Sequence, residues 1–314
     1  MSSDAPALRP CQVRVATPAD AAAVADIRRR GQPHLVTTER ALRRVLQHAL
    51  DDPGAGAHVV AERDCAVVAT ASLAAVAPGP RKLSLLADPA WRRQGAGTAL
   101  FRWAQDQAGP VGLQGLADDV PGAFDALDSW GWERSQPVRF SRTDPRRVPT
   151  AEPTPGYQLC ALSDLGQPSQ VWELLQLTCP DDPSGLSSVR PLEAWQADVW
   201  HNPDFDLALA IAARAPDGTL AAVTLTKADA ATGRIWTAMT ATHPRRRGQG
   251  LARAVKTEAL RTAARRGFTN ATAGNADANV AMLAVNRRLG YEVCASGWTV
   301  RWTPDGAMDG GPAR

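Results

Sequence analysis

The chain has 314 residues, enough for two domains that each bury a core. Hydrophobic residues make up 44% of it, which excludes a disordered chain. The numbers of basic and acidic residues are nearly equal, with a net charge of +3, and this balance argues against general nucleic-acid binding. Five scattered cysteines without CxxC spacing exclude a disulfide framework and a zinc site, and no stretch approaches the ~18 apolar residues of a membrane span. We therefore expect a cytoplasmic protein that binds no metal, no nucleic acid and no membrane.

The first half of the chain predicts strands followed by a helix that opens on a glycine-rich loop. Runs of apolar residues predict the strands, and apolar residues at helical spacing predict the helices. In chain order these are a strand at 12–16, helices at 18–30 and 38–50, strands at 58–62, 66–76 and 82–87, and a helix ending near Ala108.

The second half predicts the same order of elements. These are a strand at 157–161, helices at 169–178 and 192–201, strands at 207–213, 220–227 and 234–242, a helix ending near Arg266, a strand at 268–273, a helix at 277–289 and strands within 291–302. Between the halves, residues 144–156 hold four prolines, which neither a helix nor a paired strand tolerates. We expect loose tails over about the first and last ten residues.

The repeated order indicates an internal duplication into two domains of one kind. We expect an N-terminal domain over 1–145, a linker over 146–156 and a C-terminal domain over 157–314.

The segment Arg245-x-x-Gly248-x-Gly250 predicts a diphosphate site at the start of a helix. Backbone N–H groups at a helix N-terminus lack intrahelical partners, and the helix dipole favours anions there. Glycines let a phosphate approach the backbone, and the arginines add positive charge. A Walker loop is excluded because Gly-Lys-Ser/Thr is absent, and a dinucleotide-binding fold is disfavoured because the loop follows the fourth strand instead of the first.

Together with Arg92-x-x-Gly95-x-Gly97, this segment resembles the acetyl-CoA pyrophosphate loop of the GCN5-related N-acetyltransferase (GNAT) superfamily. The second half extends the resemblance through three asparagines, Met282 and Leu289-Gly290-Tyr291, in the pattern of actinobacterial GNAT domains. The tandem layout resembles that of the mycothiol synthase group. The resemblance implies an α/β fold of the α+β mixed-sheet kind. Each of the two tandem domains would have a central, mostly antiparallel sheet with splayed fourth and fifth strands, flanked by helices.

The resemblance also implies how acetyl-CoA, or another short acyl-CoA, is held without a metal. The pantetheine arm would pair with the fourth strand as an added strand. The expected cofactor-binding residues of the second half are Met239, Thr240, Ala241, Thr242, Arg245, Arg247, Gly248, Gln249, Gly250, Leu251, Ala252, Asn275, Asn279 and Asn286. Those of the first half are Leu86, Ala87, Arg92, Arg93, Gln94, Gly95, Ala96, Gly97 and Thr98. Asn279 has an alternative role as the N-terminal cap of its helix.

The catalytic residues are less defined by the pattern. Asn286 stands where many members of the family carry a tyrosine that protonates the leaving thiolate, and an amide cannot supply that proton. We name Asn286 and Asp182 as catalytic candidates, and Trp195 and Asp198 as candidates for binding the acceptor. Surface or capping roles for the carboxylates, and a core role for the tryptophan, remain open.

The first half lacks the asparagine series and carries Trp130-Gly131-Trp132 in place of Leu-Gly-Tyr, so we expect it to be degenerate while still able to bind CoA. The expected function is transfer of acetyl from acetyl-CoA to a primary amine of a small molecule by direct attack on the thioester. Two alternatives are acetylation of a peptide or protein N-terminus or lysine, and a non-catalytic acyl-CoA-binding regulatory module. We expect a monomer or a homodimer.

Overall fold

The structure is a computed structural model that describes residues 10–52, 54, 56–74, 79–149, 154–185, 187–188 and 190–304. The predicted tails lie almost wholly outside the described residues, as do the end of the strand predicted at 66–76 and part of the predicted linker. The chain forms two compact units. Unit 1 comprises the described residues up to Pro33, residues 42–134 and those from Val300 onward, and unit 2 comprises residues 34–41 and 135–299.

Unit 1 contains a sheet in the order β1-β2-β3-β4-β5, in which only the β4–β5 pair is parallel. Its strands are β1 (Gln12–Val15), β2 (Ala57–Arg63), β3 (Ala66–Ala74), β4 (Arg81–Ala87) and β5 (Leu113–Asp118). Its helices are α1 (Ala21–Gly31), α2 (Glu39–Asp51, in unit 1 from Leu42), α3 (Ala96–Ala108) and α4 (Ala123–Ser129). Apolar residues of α1 and α2, among them Val24 and Leu46, pack on Val60 of β2.

Unit 2 contains a sheet in the order β12-β6-β11-β10-β9-β8-β7, in which β10 and β11 are parallel. Its strands are β6 (Glu133–Thr143, in unit 2 from Ser135), β7 (Gln158–Ala161), β8 (Ile211–Arg214), β9 (Leu220–Asp229), β10 (Arg234–Thr242), β11 (Asn270–Ala276) and β12 (Glu292–Trp302, in unit 2 to Thr299). Its helices are α5 (Pro168–Thr178), α6 (Leu192–Trp195, continued by a π-helical turn to Trp200), α7 (Leu251–Arg265) and α8 (Val280–Arg288).

Helices cover both faces of the unit 2 sheet because successive strand residues point to opposite sides. Val223 and Leu225 of β9 pack with α5 on one face, whereas Ala222 packs with α7 on the other. Leu260 of α7 continues that second layer with Ala273 of β11. Both units therefore have the predicted architecture: a mixed sheet, mostly antiparallel, with helices packed against it and one parallel pair, β4–β5 in unit 1 and β10–β11 in unit 2.

Several predicted boundaries shift for local reasons. The strand predicted at 207–213 begins only at Ile211, because the Asp206 carboxylate accepts hydrogen bonds from the N–H groups of Ala208 (3.1 Å) and Leu209 (3.2 Å) and holds a turn there. The helix predicted at 277–289 begins at Val280 because Asn279 caps it. Three elements have no counterpart in the sequence prediction, namely β5, α4 and β6.

Candidate functional site

β10, the fourth strand of the second half of the chain, has an open edge along its second half. It pairs with β9 along most of its length but with β11 only from Arg234 to Thr237. A β-bulge leaves Ala238 outside the β9 ladder. Bulges re-aim backbone groups and are over-represented beside active sites. The predicted residues 239–242 therefore lie where the two strands separate, and they do not pair with β11.

The glycine-rich loop that the sequence predicts to bind a diphosphate lies at the N-terminus of α7. Gly248 and Gly250 both have φ of +79°, a left-handed conformation that glycine adopts without steric cost. A Cβ atom at either position would meet nothing within 4 Å, so the space beside the loop is open. The first helical backbone bond at this end runs from Ala254 N–H to Gly250 C=O at 3.0 Å, and the amides of the preceding first turn point outward without intrahelical partners.

The structure changes the register between the two glycine-rich loops. Helix α3 follows Gly95 directly, as α7 follows Gly250, and both glycines have positive φ. Two residues earlier, Arg93 (φ +61°) matches Gly248. Arg92–Gly97 therefore corresponds position by position to Arg247–Ala252, two residues later than the Arg245-x-x-Gly248-x-Gly250 alignment from the sequence.

Contacts around the loop distinguish its arginines. The Arg247 guanidinium forms an ion pair with Asp181 at 2.5 Å and donates to the Thr242 carbonyl at 3.3 Å, which ties the loop to the end of β10. Arg245 is exposed, and its backbone N–H donates to His243 Nδ1 at 3.2 Å. Gln249 accepts a hydrogen bond from the Tyr157 hydroxyl at 2.6 Å.

The three predicted asparagines have different roles. Asn279 Oδ1 accepts from Met282 N–H at 3.2 Å and caps α8, which is the alternative that the sequence left open. Asn286 is 2% exposed, and its Nδ2 donates to Asn275 Oδ1 at 2.7 Å. Asn286 Oδ1 is buried and has no hydrogen-bond partner among the described residues. The structure thus brings Asn275 and Asn286 together and commits the Asn279 oxygen to its own helix.

The predicted acceptor-side residues are engaged in local structure. Asp182 accepts hydrogen bonds from Ser184 N–H (3.0 Å) and from the hydroxyls of Ser184 and Ser187, so both of its carboxylate oxygens organise their own loop. Asp198 pairs with Arg190 at 2.8 Å. Trp195 is 5% exposed and belongs to the core beneath α5. These contacts are the surface, capping and core roles that the sequence left open.

A buried lysine near this site has no counterpart in the sequence prediction. Lys256 of α7 is 2% exposed, and its ammonium lies 5.1 Å from the centre of the Tyr291 ring. Burial lowers the pKa of Lys256 to about 7 and raises the pKa of Tyr291 to about 12. The helical pattern alone gives no signal for it, because a lysine among apolar residues is usually solvated.

Unit 1 contains an open cleft at the equivalent place. Its β4 and β5 pair over only two residues each, and a cavity of about 560 Å³ opens where they separate. The predicted residues that line it are Leu86, Ala87, Arg92, Arg93, Gly95, Gly97 and Thr98. Gln94 is held instead by two hydrogen bonds from Arg63, at 3.0 and 2.6 Å. Unlike β10, β4 pairs with β3 without a bulge.

No group of three or more His, Cys, Asp or Glu side chains within the described ranges could hold a metal ion. No helix in the described part of the chain is long and apolar enough to cross a membrane.

Comparison with known proteins identifies a family in both halves. The model of the acetyltransferase (GNAT) family matches residues 22–119 and 171–291, more than half of the chain. No curated protein matches the sequence.

Solved structures agree in fold at low identity. A tandem GNAT protein from the clavulanic acid biosynthesis pathway is 19% identical, with a TM-score of 0.70 over 97% of this chain and 100% of its own. A GCN5-related N-acetyltransferase from Sphaerobacter thermophilus is 18% identical, with a TM-score of 0.68 over 93% and 95%. A glucosamine N-acetyltransferase region of a fungal multi-domain β-N-acetylglucosaminidase is 16% identical, with a TM-score of 0.66 over 96% and 39%. These likenesses support the tandem fold.

Proposed function

The chain belongs to the acetyltransferase (GNAT) family, and on that premise we propose that unit 2 transfers acetyl from acetyl-CoA to a primary amine of a small molecule. The observation that carries the proposal is the bulged, open edge of β10 beside the α7 N-terminus. A strand edge, a phosphate cradle and a re-aimed backbone amide are the three parts that such a transfer needs.

The residues present fit an acyl-CoA. The loop before α7 leaves open space beside Gly248 and Gly250, as a diphosphate requires, and Arg247 adds charge at its rim. The unpaired edge of β10 offers strand-type hydrogen bonds to an extended arm that carries amides.

Acetyl-CoA supplies the acetyl group as a thioester, already activated toward an amine. We assign the Ala238 amide, which the bulge frees from the β9 ladder, to hydrogen-bond the carbonyl oxygen on which negative charge develops. A thiol with a pKa near ~8.5 leaves without obligatory protonation, so Asn286 need not act as an acid. Because Asp182 and Asp198 are engaged locally, we assign the amine proton to water instead of a carboxylate.

We propose that unit 1 binds acyl-CoA without transferring the acyl group. It has the phosphate loop and the cleft but lacks the bulge in its fourth strand. This is the observation that favours a binding module as the role of that unit.

Turnover separates these assignments. Radiolabelled acetyl-CoA and a panel of small primary amines, amino sugars and peptides are incubated with the protein, and CoA release is measured with a thiol reagent. We expect turnover with a small amine and none with peptides. Turnover confined to peptides would overturn the proposal of a small-molecule acceptor. An absence of turnover with every amine would overturn the proposal that the protein is an acetyltransferase.

Matched variants assign the active unit. Gly250→Trp fills the unit 2 loop and should abolish turnover, whereas Gly95→Trp at the equivalent position of unit 1 should retain it. Gly267→Trp controls for backbone strain, because it has φ of +84° and open space at the other end of α7. Loss of activity in Gly95→Trp alone would move catalysis to unit 1.

A further inference from the structure

Helix α1 of unit 1 ends in three consecutive arginines, of which two are paired with acids. Arg29 pairs with Asp26 at 2.7 Å, and Arg30 pairs with Asp88 at 2.5 Å. Arg28 differs from both, because its Nε is buried and has no hydrogen-bond partner among the described residues. Burial lowers the pKa of Arg28, and no carboxylate among those residues raises it. A buried charge without a partner is costly, so this guanidinium calls for an anion from outside the chain.

A row of three polar side chains lies beneath α1. His58, Ser72 and Ser84 are directly opposite one another on β2, β3 and β4, so they share one face of the sheet. Val60, two residues after His58, is on the same face and packs in the core with Val24 of α1. The row is therefore on the face that α1 covers.

Arg28 lies over this row. It follows Val24 by four residues, so both side chains are on the side of α1 that faces the sheet. Farther along α1, a Cβ at Gly31 would lie 2.9 Å from the side chain of Leu86 of β4. Burial, together with the nearby Arg28 charge, lowers the pKa of His58 to about 4, so this ring is neutral at pH 7. The four half-buried residues that form the Arg28 cluster are Arg28, His58, Ser72 and Ser84.

Unit 2 shows which residues occupy the first two of these positions in the other domain. Helices α1 and α5 both have 11 residues, and the residue after each donates its backbone N–H to Arg28 C=O and to Leu175 C=O, respectively. The residue after β1 donates its N–H to His58 C=O, as the residue after β7 does to Ala210 C=O. Arg28 therefore corresponds to Leu175, and His58 corresponds to Ala210.

The registers of the two sheets give the other two positions. The residue after β4 donates its N–H to β3, and the residue after β10 donates to β9 in the same way; counted from these bonds, Ser72 corresponds to Leu225. Their partners on the neighbouring strands, Ser84 and Met239, correspond as well. All four unit 2 residues belong to the apolar core beneath α5 or pack against it. Unit 1 thus has a cation, an imidazole and two hydroxyls where unit 2 has apolar side chains.

We propose that the Arg28 cluster binds a small carboxylate ligand between α1 and the sheet of unit 1. The guanidinium presents a planar fork of donors that fits the two oxygens of a carboxylate. The hydroxyls of Ser72 and Ser84 and the neutral ring of His58 supply further donors. A single cation balances a monoanion, whereas a phosphate dianion calls for more positive charge. None of the four residues belongs to the glycine-rich loop before α3, and the proposal depends neither on acyl-CoA binding nor on turnover.

Heteronuclear NMR of the arginine Nε–H groups tests the site directly. The Arg28 signal is identified by its absence in Arg28→Lys, and acetate is titrated as the minimal carboxylate probe against chloride at constant ionic strength. We expect the Arg28 signal to shift saturably with a Kd of about 1 to 10 mM, the range given by two hydrogen bonds to a charged group. The uncharged analogue acetamide should leave it in place. The Arg14 signal is the internal control, because that guanidinium already pairs with Asp20 and Glu62, each at 2.8 Å.

The titration has clear negative outcomes. An Arg28 signal that does not move with acetate, or that moves equally with acetamide, overturns the proposal. Saturation by inorganic phosphate at a lower concentration than by acetate would overturn the assignment to a carboxylate.

Variants that install the unit 2 residues separate a ligand site from a structural role. Arg28→Leu removes an unpaired buried charge, so without ligand it should melt no lower than the parent. Because acetate should bind only the folded state, about 50 mM of it should raise the melting temperature of the parent above that in chloride, but not that of Arg28→Leu. His58→Ala should weaken acetate binding severalfold. A lower melting temperature of ligand-free Arg28→Leu, or an acetate response equal to that of the parent, would assign Arg28 a structural role instead.

Discussion

At the scale of single residues, Lys256 should make the stability of the protein depend on pH. In the folded state burial lowers the pKa of this lysine to about 7, whereas in the unfolded chain it stays protonated to about pH 10. Between these values the unfolded state binds more protons, so the free energy of unfolding should rise with pH, by up to about 1.4 kcal/mol per pH unit. The neighbouring Tyr291, with its pKa raised to about 12, stays neutral in this window.

Urea unfolding at pH 7, 8 and 9 measures this slope. Lys256→Met should be more stable than the parent at pH 7 and should lose most of the rise toward pH 9. The exposed Lys82→Met serves as the control and should leave the slope unchanged. An identical pH dependence in parent and Lys256→Met would show that Lys256 does not cause the slope.

Thr38 should contribute to the stability of unit 2 because it donates hydrogen bonds to the buried carboxylate of Asp204. Asp204 is 1% exposed, and it accepts hydrogen bonds from the Thr38 hydroxyl (2.5 Å) and from Thr38 N–H (3.2 Å). Burial raises the pKa of Asp204, and the bonds from Thr38 oppose that shift. Thr38→Val should lower the free energy of unfolding of unit 2 by about 2 kcal/mol, the usual worth of a hydrogen bond to a charged group.

Thermal and urea melts of Thr38→Val against Thr38→Ser check this contact. The serine keeps the hydroxyl and should behave like the parent, while the valine should melt at a lower temperature. Equal melting of the two variants would show that the hydroxyl contributes nothing. Neither Lys256 nor this Thr38–Asp204 contact could be predicted from the sequence, because both depend on which side chains the tertiary fold places together.

At the scale of elements, the first residue of α7 shows which arginine of the second glycine-rich loop is equivalent to Arg92 of the first. The pattern Arg-x-x-Gly-x-Gly fits the second loop at Arg245, but the helix begins after Gly250, which selects Arg247 as the equivalent of Arg92. The glycine-rich turn before the helix and most of the strands were predictable because glycines and apolar runs are local signals. The alignment of the two glycine-rich loops was not predictable, since the motif can be aligned at Arg245 or at Arg247, and only the start of the helix distinguishes the two.

The corrected register makes a testable distinction between two neighbouring arginines. Arg247→Ala should raise the Kd for CoA by about fivefold through loss of a charge at the phosphates, whereas Arg245→Ala should change it by less than about twofold. Calorimetry in the Gly95→Trp background gives both constants, and the effect of Arg247→Ala should shrink at high salt. A larger loss in Arg245→Ala would restore the register read from the sequence.

The elements without a sequence prediction have weak local signals. β5 is six residues long with Gly115 inside it, and β6 carries Pro137, a residue that usually excludes a paired strand. Both form because they have neighbours to pair with, β6 with β11 over six residue pairs. A strand of this kind is specified by its partner more than by its own composition.

At the scale of the whole molecule, the division of the chain into units does not follow the sequence halves. Unit 2 takes β6 and residues 34–41 from the first half of the chain. The repeated order of elements and the proline-rich segment between the halves favour a boundary within 146–156, because both signals follow the order of residues along the chain. The pairing of strands depends on tertiary packing, and the local sequence does not indicate it.

This division predicts how fragments should behave. Fragment 154–314 lacks β6, so β11 loses its antiparallel partner from Ala271 to Ala276 and exposes an unpaired edge. It also loses Phe140, a side chain 1% exposed that fills the space over Gly274, where a Cβ would approach its ring to 2.9 Å. We expect this fragment to aggregate or to lack a cooperative melt. Fragment 135–304 retains β6 and should be the more soluble and stable of the two, as measured by far-UV circular dichroism and thermal unfolding. If both fragments fold with equal stability, the pairing of β6 with β11 is dispensable, and the proline-rich segment is the true domain boundary.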